Sequence, residues 1–174
     1  MIGRDWPRVA GIHTPETGDV AGVWMAYERD TDTVHIYDAC IFRREVLAVI
    51  AEGLNARGRR IPVAWTSAAK AMADELLARG VNMMVDECDD SDGMAEIVSL
   101  TIWERLRTAR LRVDKRLAEW FAEAEKFDRQ EGKIPRDGFP LMTATRFALQ
   151  MLDRGRSVEA PASRKALYPK LAVV

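Results

Sequence analysis

The feature that most constrains this chain is a change of hydrophobic period shortly after residue 41. Before it lie three apolar runs, Arg8–His13 (RVAGIH), Val20–Glu28 (VAGVWMAYE) and Thr33–Ile41 (TVHIYDACI). They are separated by the turn-forming stretches Thr14–Asp19 (TPETGD) and Arg29–Asp32 (RDTD). Runs of that length joined by short polar turns predict an antiparallel three-stranded meander, with Val34, Ile36 and Ala39 on one face of its third strand. After it the spacing becomes helical: Val46, Leu47, Ile50 and Leu54 mark a helix over Arg44–Arg57, which Gly58 is suited to end.

Single strands and helices then alternate. Ile61–Trp65 and Val81–Val85 read as short buried strands, and Ser67 as the cap of a helix reaching Arg79. Asp86–Gly93 (DECDDSDG) reads as a solvated loop, because its spacing fails the calcium-binding pattern. A helix over Met94–Arg107 carries Ile97, Leu100, Trp103 and Leu106. A short strand at Leu111–Val113, a helix at Leu117–Phe127 and a last helix over 140–152, with Pro140 at its first position, complete the order. Trp65, Trp103 and Trp120 sit at apolar positions and read as core. Past Gly155 the pattern is lost, so the expectation is one domain over residues 1–155 and a tail over 156–174.

Composition narrows the partners. Lys and Arg number 26 against 27 Asp and Glu, a net charge of −1, so any nucleic-acid footprint has to be a local patch. Arg105, Arg107, Arg110 and Arg112 form the best candidate, with a solvated helix–strand junction as the competing reading. Cys40 and Cys88 fit no zinc or disulfide spacing, and reduced thiols are expected. Met1–Arg8 is too polar for a secretory signal, and no apolar run nears the roughly 18 residues a membrane span needs. A cytoplasmic protein without membrane contact is therefore expected. Neither a phosphate-cradling P-loop nor a GxGxxG turn occurs.

Three antiparallel strands followed by strand–helix units is the element order of the ribonuclease H-like fold, a mixed α/β sheet flanked by helices. Particular segments carry a closer likeness. Gly11-Ile12-His13 followed by the Gly18-Asp19 turn, Gly58–Trp65 (GRRIPVAW), Gly80–Met83 (GVNM) and Ala144–Leu149 (ATRFAL) resemble, in order, motifs of the RNase H-like nuclease domain of phage and prophage terminase large subunits. The resemblance runs from Arg8 to Leu152. It implies a role in viral DNA packaging inside a bacterial host, with double-stranded DNA and phage packaging proteins as partners.

It also implies a two-metal chemistry. Phosphodiester hydrolysis in that family uses paired Mg or Mn ions, roughly 3.5–4 Å apart, and hard cations need carboxylate oxygens. The family places acids on the first strand, after the fourth strand and at the start of the last helix. Here those places fall on His13, on Thr66–Ala69 and on Phe139–Pro140. Imidazole is a poor Mg ligand, though it accepts Mn. The resemblance therefore implies a domain whose catalytic acids are replaced. An active endonuclease would have to rebuild its site from Asp19, Asp137, His13 and Glu96 or another acid of 86–96, with Asp19 and Asp137 as the catalytic pair. For each, an ordinary role stays open: turn capping for Asp19 and Asp137, helix-terminus placement for Glu96, a strand histidine for His13. A third reading is a protein-interaction module, dimerising through Trp120 or Phe121. His35 is expected at the surface, and Arg146, alone in an apolar helix, calls for a buried acid.

Overall fold

The computed structural model describes residues 2–15, 18–135 and 138–157. Strands β1 (Arg8–His13), β2 (Val20–Glu28), β3 (Thr33–Phe42), β4 (Val63–Ala64) and β5 (Leu111–Val113) form one sheet in the order β4-β1-β2-β3-β5. The first three are the antiparallel meander, while β4 joins β1 and β5 joins β3 in parallel. Helices α1 (Leu47–Ala56) and α2 (Lys70–Ala78) supply the core on one face. Helices α3 (Asp92–Arg107), α4 (Ala118–Ala124) and α5 (Pro140–Gln150) supply it on the other. Covered on both faces, β2 is buried from Val20 to Ala26, which is why it reads as an unbroken apolar run.

The irregular alternation of β3 has a cause. Trp24 pairs with Asp38 and Met25 with Ile36, so Tyr37 bulges out without an opposite residue. A bulge shifts the side-chain parity by one. Val34 and Ile36 before it, and Ala39 and Ile41 after it, therefore serve the same face of the sheet.

Helix α5 is buried from Leu141 through Leu149. It lies across β1 at Gly11, where an added Cβ would stand 2.3 Å from the Ala144 carbonyl oxygen and 2.6 Å from the Ala148 nitrogen. Glycine is required there because backbone meets backbone. Farther along, Phe147 meets the His13 ring edge-on, with centroids 6.0 Å apart, and Arg156 pairs with Arg8 through two 2.9 Å hydrogen bonds. The chain is thus still joined to the sheet just past the expected boundary at 155.

Several local expectations change. Residues 81–88 contribute isolated parallel bridges, Val63 to Met83 and Thr66 to Cys88, instead of a full strand. Ser67 opens a 3-10 turn ahead of α2 without a side-chain cap. Trp65 and Trp120 are core, but Trp103 is 42% exposed, because α3 buries Ala95, Val98, Ser99 and Ile102 instead. His35 is half-buried, stacked on Trp6 at 4.8 Å and bonded to Glu28 at 3.3 Å.

Replacing Gly11 with alanine forces α5 off the sheet. Gly11→Ala is expected to lower stability by about 1–3 kcal/mol, the range for overpacking, read from the urea midpoint of unfolding.

Candidate functional site

The parallel register of Ala10 with Val63 and Gly11 with Ala64 leaves His13, the last residue of β1, and Thr66, two residues past β4, at the carboxyl ends of the two strands. In an open sheet this is where ligands meet the protein. The chain then turns back through 87–91: the Cys88 N–H donates to the Trp65 carbonyl at 2.7 Å, and the Cys88 thiol donates to the Phe147 carbonyl at 3.6 Å. Between Thr66–Ala68 and Glu87–Ser91 lies an open pocket of about 560 Å³. A more apolar hollow of about 690 Å³ flanks the same sheet edge, between Trp65, Met83, Val85 and α2, and meets the first pocket at Glu87.

Arg146 reaches this region from α5. Its guanidinium is 1% exposed and stands 3.7 Å from the Asp90 carboxylate and 3.4 Å from the Thr143 hydroxyl. Asp90 is the acid that the solitary arginine of an apolar helix demands. The acidic loop is therefore more than solvated surface: Cys88 is buried and Asp90 faces a buried cation. Burial pushes the Cys88 thiol up to about 12, so it is neither a nucleophile nor a thiolate ligand at neutral pH. The Ser91 amide and hydroxyl hold Asp89 below its ordinary value.

At the start of α5, on the same face, Phe139 and Pro140 occupy the first positions. The acid there comes from another helix. Glu123 of α4 accepts the N–H groups of Leu141 at 2.8 Å and Met142 at 3.0 Å, capping α5 from outside its own sequence. Burial pushes its carboxyl up to about 7, against those two donors, which favour the ionised form.

The other candidates are dispersed. Asp19 lies just ahead of β2, and its carboxylate accepts the Arg44 N–H at 3.1 Å, steadying a residue held at φ 52°. Glu96 pairs with Arg129 on the outer side of α3. Asp137 lies outside the described residues. Arg105 and Arg110 both grip Asp32 at 2.9 Å, and Arg110 also binds Glu104 at 3.0 Å; Arg107 and Arg112 are exposed. Asp32 sits in the β2–β3 turn, and His13 pairs at the other end of β2 with Ala21. The arginine group and His13 therefore occupy opposite ends of the sheet. Trp120, with 1% exposure, donates to Thr145 at 2.9 Å within the core, so only Phe121 of the two proposed dimer residues is exposed.

No family model matches the chain, and no curated protein matches it. Solved structures do. The nuclease domain of the P22 large terminase superposes with a TM-score of 0.82, covering 91% of this chain and 87% of that one at 16% identity. This chain has the fold of the large terminase nuclease domains. The g2p large terminase nuclease domain of bacteriophage SPP1, with bound Mn, gives a TM-score of 0.64 at 17% identity, over 84% and 87% of the two chains. The large terminase nuclease of thermophilic phage G20c, with bound zinc, gives 0.61 at 17% identity, over 86% and 83%.

Metals in two of these terminase structures make the donor set here a direct question. Among the described residues no three His, Cys, Asp or Glu side chains gather to hold an ion. Glu87, Asp89 and Asp90 line the pocket beside Thr66, and Asp90 is set against the buried Arg146 guanidinium. Those carboxylates line one pocket without gathering around a single ion position among the described residues, so a divalent pair does not fit the described set.

Glu123 yields a sign. Its folded-state value lies above the ordinary 4.5, so the folded protein holds the proton more tightly across the interval up to about 7. Its stabilising contribution is full below that interval and is lost as pH rises through it. Urea midpoints measured from about pH 5 to pH 8 should show this falling component in the wild type and lack it in Glu123→Gln.

Proposed function

We propose that this chain is a homologue of the nuclease domain of phage or prophage terminase large subunits, one that serves viral DNA packaging by binding and does not cut. The domain spans residues 1–155, followed by a tail over 156–174. It works in the bacterial cytoplasm, a reading compatible with the lack, among the described residues, of any helix long and apolar enough to cross a membrane. Its partners are double-stranded DNA and phage packaging proteins.

The observation that carries this reading is the exchange of charge at the strand ends. Where the resemblance calls for catalytic acids, this chain has His13 at the end of β1, Thr66 after β4 and Phe139 ahead of α5, and Arg146 is set against Asp90. A fixed guanidinium supplies positive charge without a metal, but it generates no metal-bound hydroxide to attack a phosphodiester. Exposed Arg107 and Arg112 are the side chains of the basic group that remain open to a DNA backbone.

The rival is an active Mg- or Mn-dependent endonuclease built on Asp19, Asp137 and an acid of 86–96. Plasmid nicking with each metal separates the two. The expected result is no metal-dependent cleavage above a no-metal control. Robust cleavage in Mn or Mg, abolished by both Asp19→Ala and Asp137→Ala, would establish the enzyme and overturn the binding role.

A further inference from the structure

We infer that the end of the sheet where β1, β4 and β5 begin, opposite the strand-end cleft, is the face that takes the backbone of double-stranded DNA, with Arg59, Arg60 and Arg156 as its main contacts. This rests on the DNA-binding reading above and places that binding away from the acidic pocket.

An open hollow of about 580 Å³ lies ahead of β4, with Arg59, Arg60, Leu77, Gly80, Asn82 and Arg156 in its lining. Separate segments bring its guanidiniums together. Arg59 and Arg60 stand in the turn after α1, where the Ile61 N–H donates to the Gly58 carbonyl at 3.0 Å and the Asn82 side chain donates to the Arg60 carbonyl at 2.9 Å. Arg156 is fixed by its two backbone hydrogen bonds with Arg8. The backbone under each is held, while all three side chains are exposed. None of them forms an ion pair with a described carboxylate, and no described carboxylate lines the hollow. Asp5, Glu75 and Asp153, exposed at nearby positions in the chain, are not among its lining residues.

Charge and extent select the occupant. Arg79, exposed at the end of α2, adds a fourth guanidinium next to Gly80. Cations suit the carboxyl ends of α1 and α2, but each helix end carries only about half a negative charge, so four guanidiniums leave the hollow strongly positive. The other end of β4 has the reverse sign: Glu87, Asp89 and Asp90 line its pocket and repel a phosphate. The basic end also continues across the sheet. Exposed Arg107 and Arg112 stand at its β5 side, and the four strand spacings between β4 and β5, about 4.8 Å each, put the two groups roughly 19 Å apart. Between them Asp32 is already occupied by Arg105 and Arg110, and exposed Asp30 adjoins exposed Arg29. A duplex carries a charge about every 1.7 Å of its axis, so about eleven fall within that width. Cationic groups at such a separation fit a long polyanion and not a single small anion. Among the large exposed apolar side chains only Leu77 lines the hollow, so it lacks the apolar, aromatic centre of a protein interface; a polar, cationic surface is the pattern of a DNA contact.

Fluorescence anisotropy of a labelled DNA duplex, titrated with the full chain at several salt concentrations, tests this. The wild type should bind at low salt, with an affinity that falls linearly on a log–log plot against salt. Arg59→Gln, Arg60→Gln and Arg156→Gln should each reduce the steepness of that line by about 0.9, and the triple variant should weaken binding roughly tenfold or more. Lys115→Gln, past the carboxyl end of β5, should leave both unchanged. The substituted side chains are exposed, and an unchanged urea midpoint shows that each variant folds. A wild type that retains no duplex at low salt removes the DNA-binding reading and this site with it. Binding indifferent to the triple variant removes this site alone and leaves the reading standing, with loss in Arg107→Gln and Arg112→Gln moving the contact to the β5 side. Poly-glutamate that displaces the duplex at equal charge concentration assigns the hollow to an acidic polypeptide and overturns the inference as well.

Discussion

The seating of α5 on β1 is the constraint on which the rest of this structure depends. At Gly11 there is no room for even a methyl group between the strand and the Ala144–Ala148 turn of the helix. That contact fixes both the height and the rotation of α5. With its rotation fixed, Phe147 is aimed at His13, Arg146 at Asp90, and Thr145 at the indole N–H of Trp120. A helix buried from Leu141 to Leu149 has no solvent face on which to place an arginine, so Arg146 must find its charge inside. The acidic turn at 87–91 is drawn to the strand ends by that need and by the Cys88 bonds to Trp65 and Phe147.

The strand-end cleft is thereby assembled from the same parts as the core. Here the fixed cation belongs to the protein itself. A guanidinium delivered by a buried helix needs no free metal, is always charged, and stays charged at any physiological pH. It also faces the Asp90 carboxylate at 3.7 Å. The fold has its own supports: packing at Gly11, the β3 bulge and the two apolar layers hold the sheet together without reference to the strand-end charges.

Much of this was legible beforehand, for identifiable reasons. The meander, the mixed sheet and the extent of α5 follow from periodicity and turn chemistry, which are local. The segments GRRIPVAW, GVNM and ATRFAL carried the resemblance, and the structure brings them together around β4 and α5. The misreadings were also local in origin. Trp103 lies at a helix-spaced apolar position, yet α3 has two apolar faces, and spacing alone does not say which meets the sheet. Glu123 gave no signal at all, since the helix end it caps lies at residues 141–142, and no cap motif spans such a gap.

The amino-acid sequence by itself determined the antiparallel meander, most of the helices and the order in which the elements enter a mixed sheet. Those properties depend on neighbours within a few residues, where backbone geometry and side-chain period act directly. The tertiary structure alone decided that Asp90 answers Arg146, that Asp32 gathers Arg105 and Arg110 at the opposite end of the sheet from His13, and that Ile97, Leu100 and Trp103 face outward. Each pairs or orients residues far apart in the chain, and the energy that selects them comes from burial and charge neutralisation that exist only once the sheet and its helices have packed.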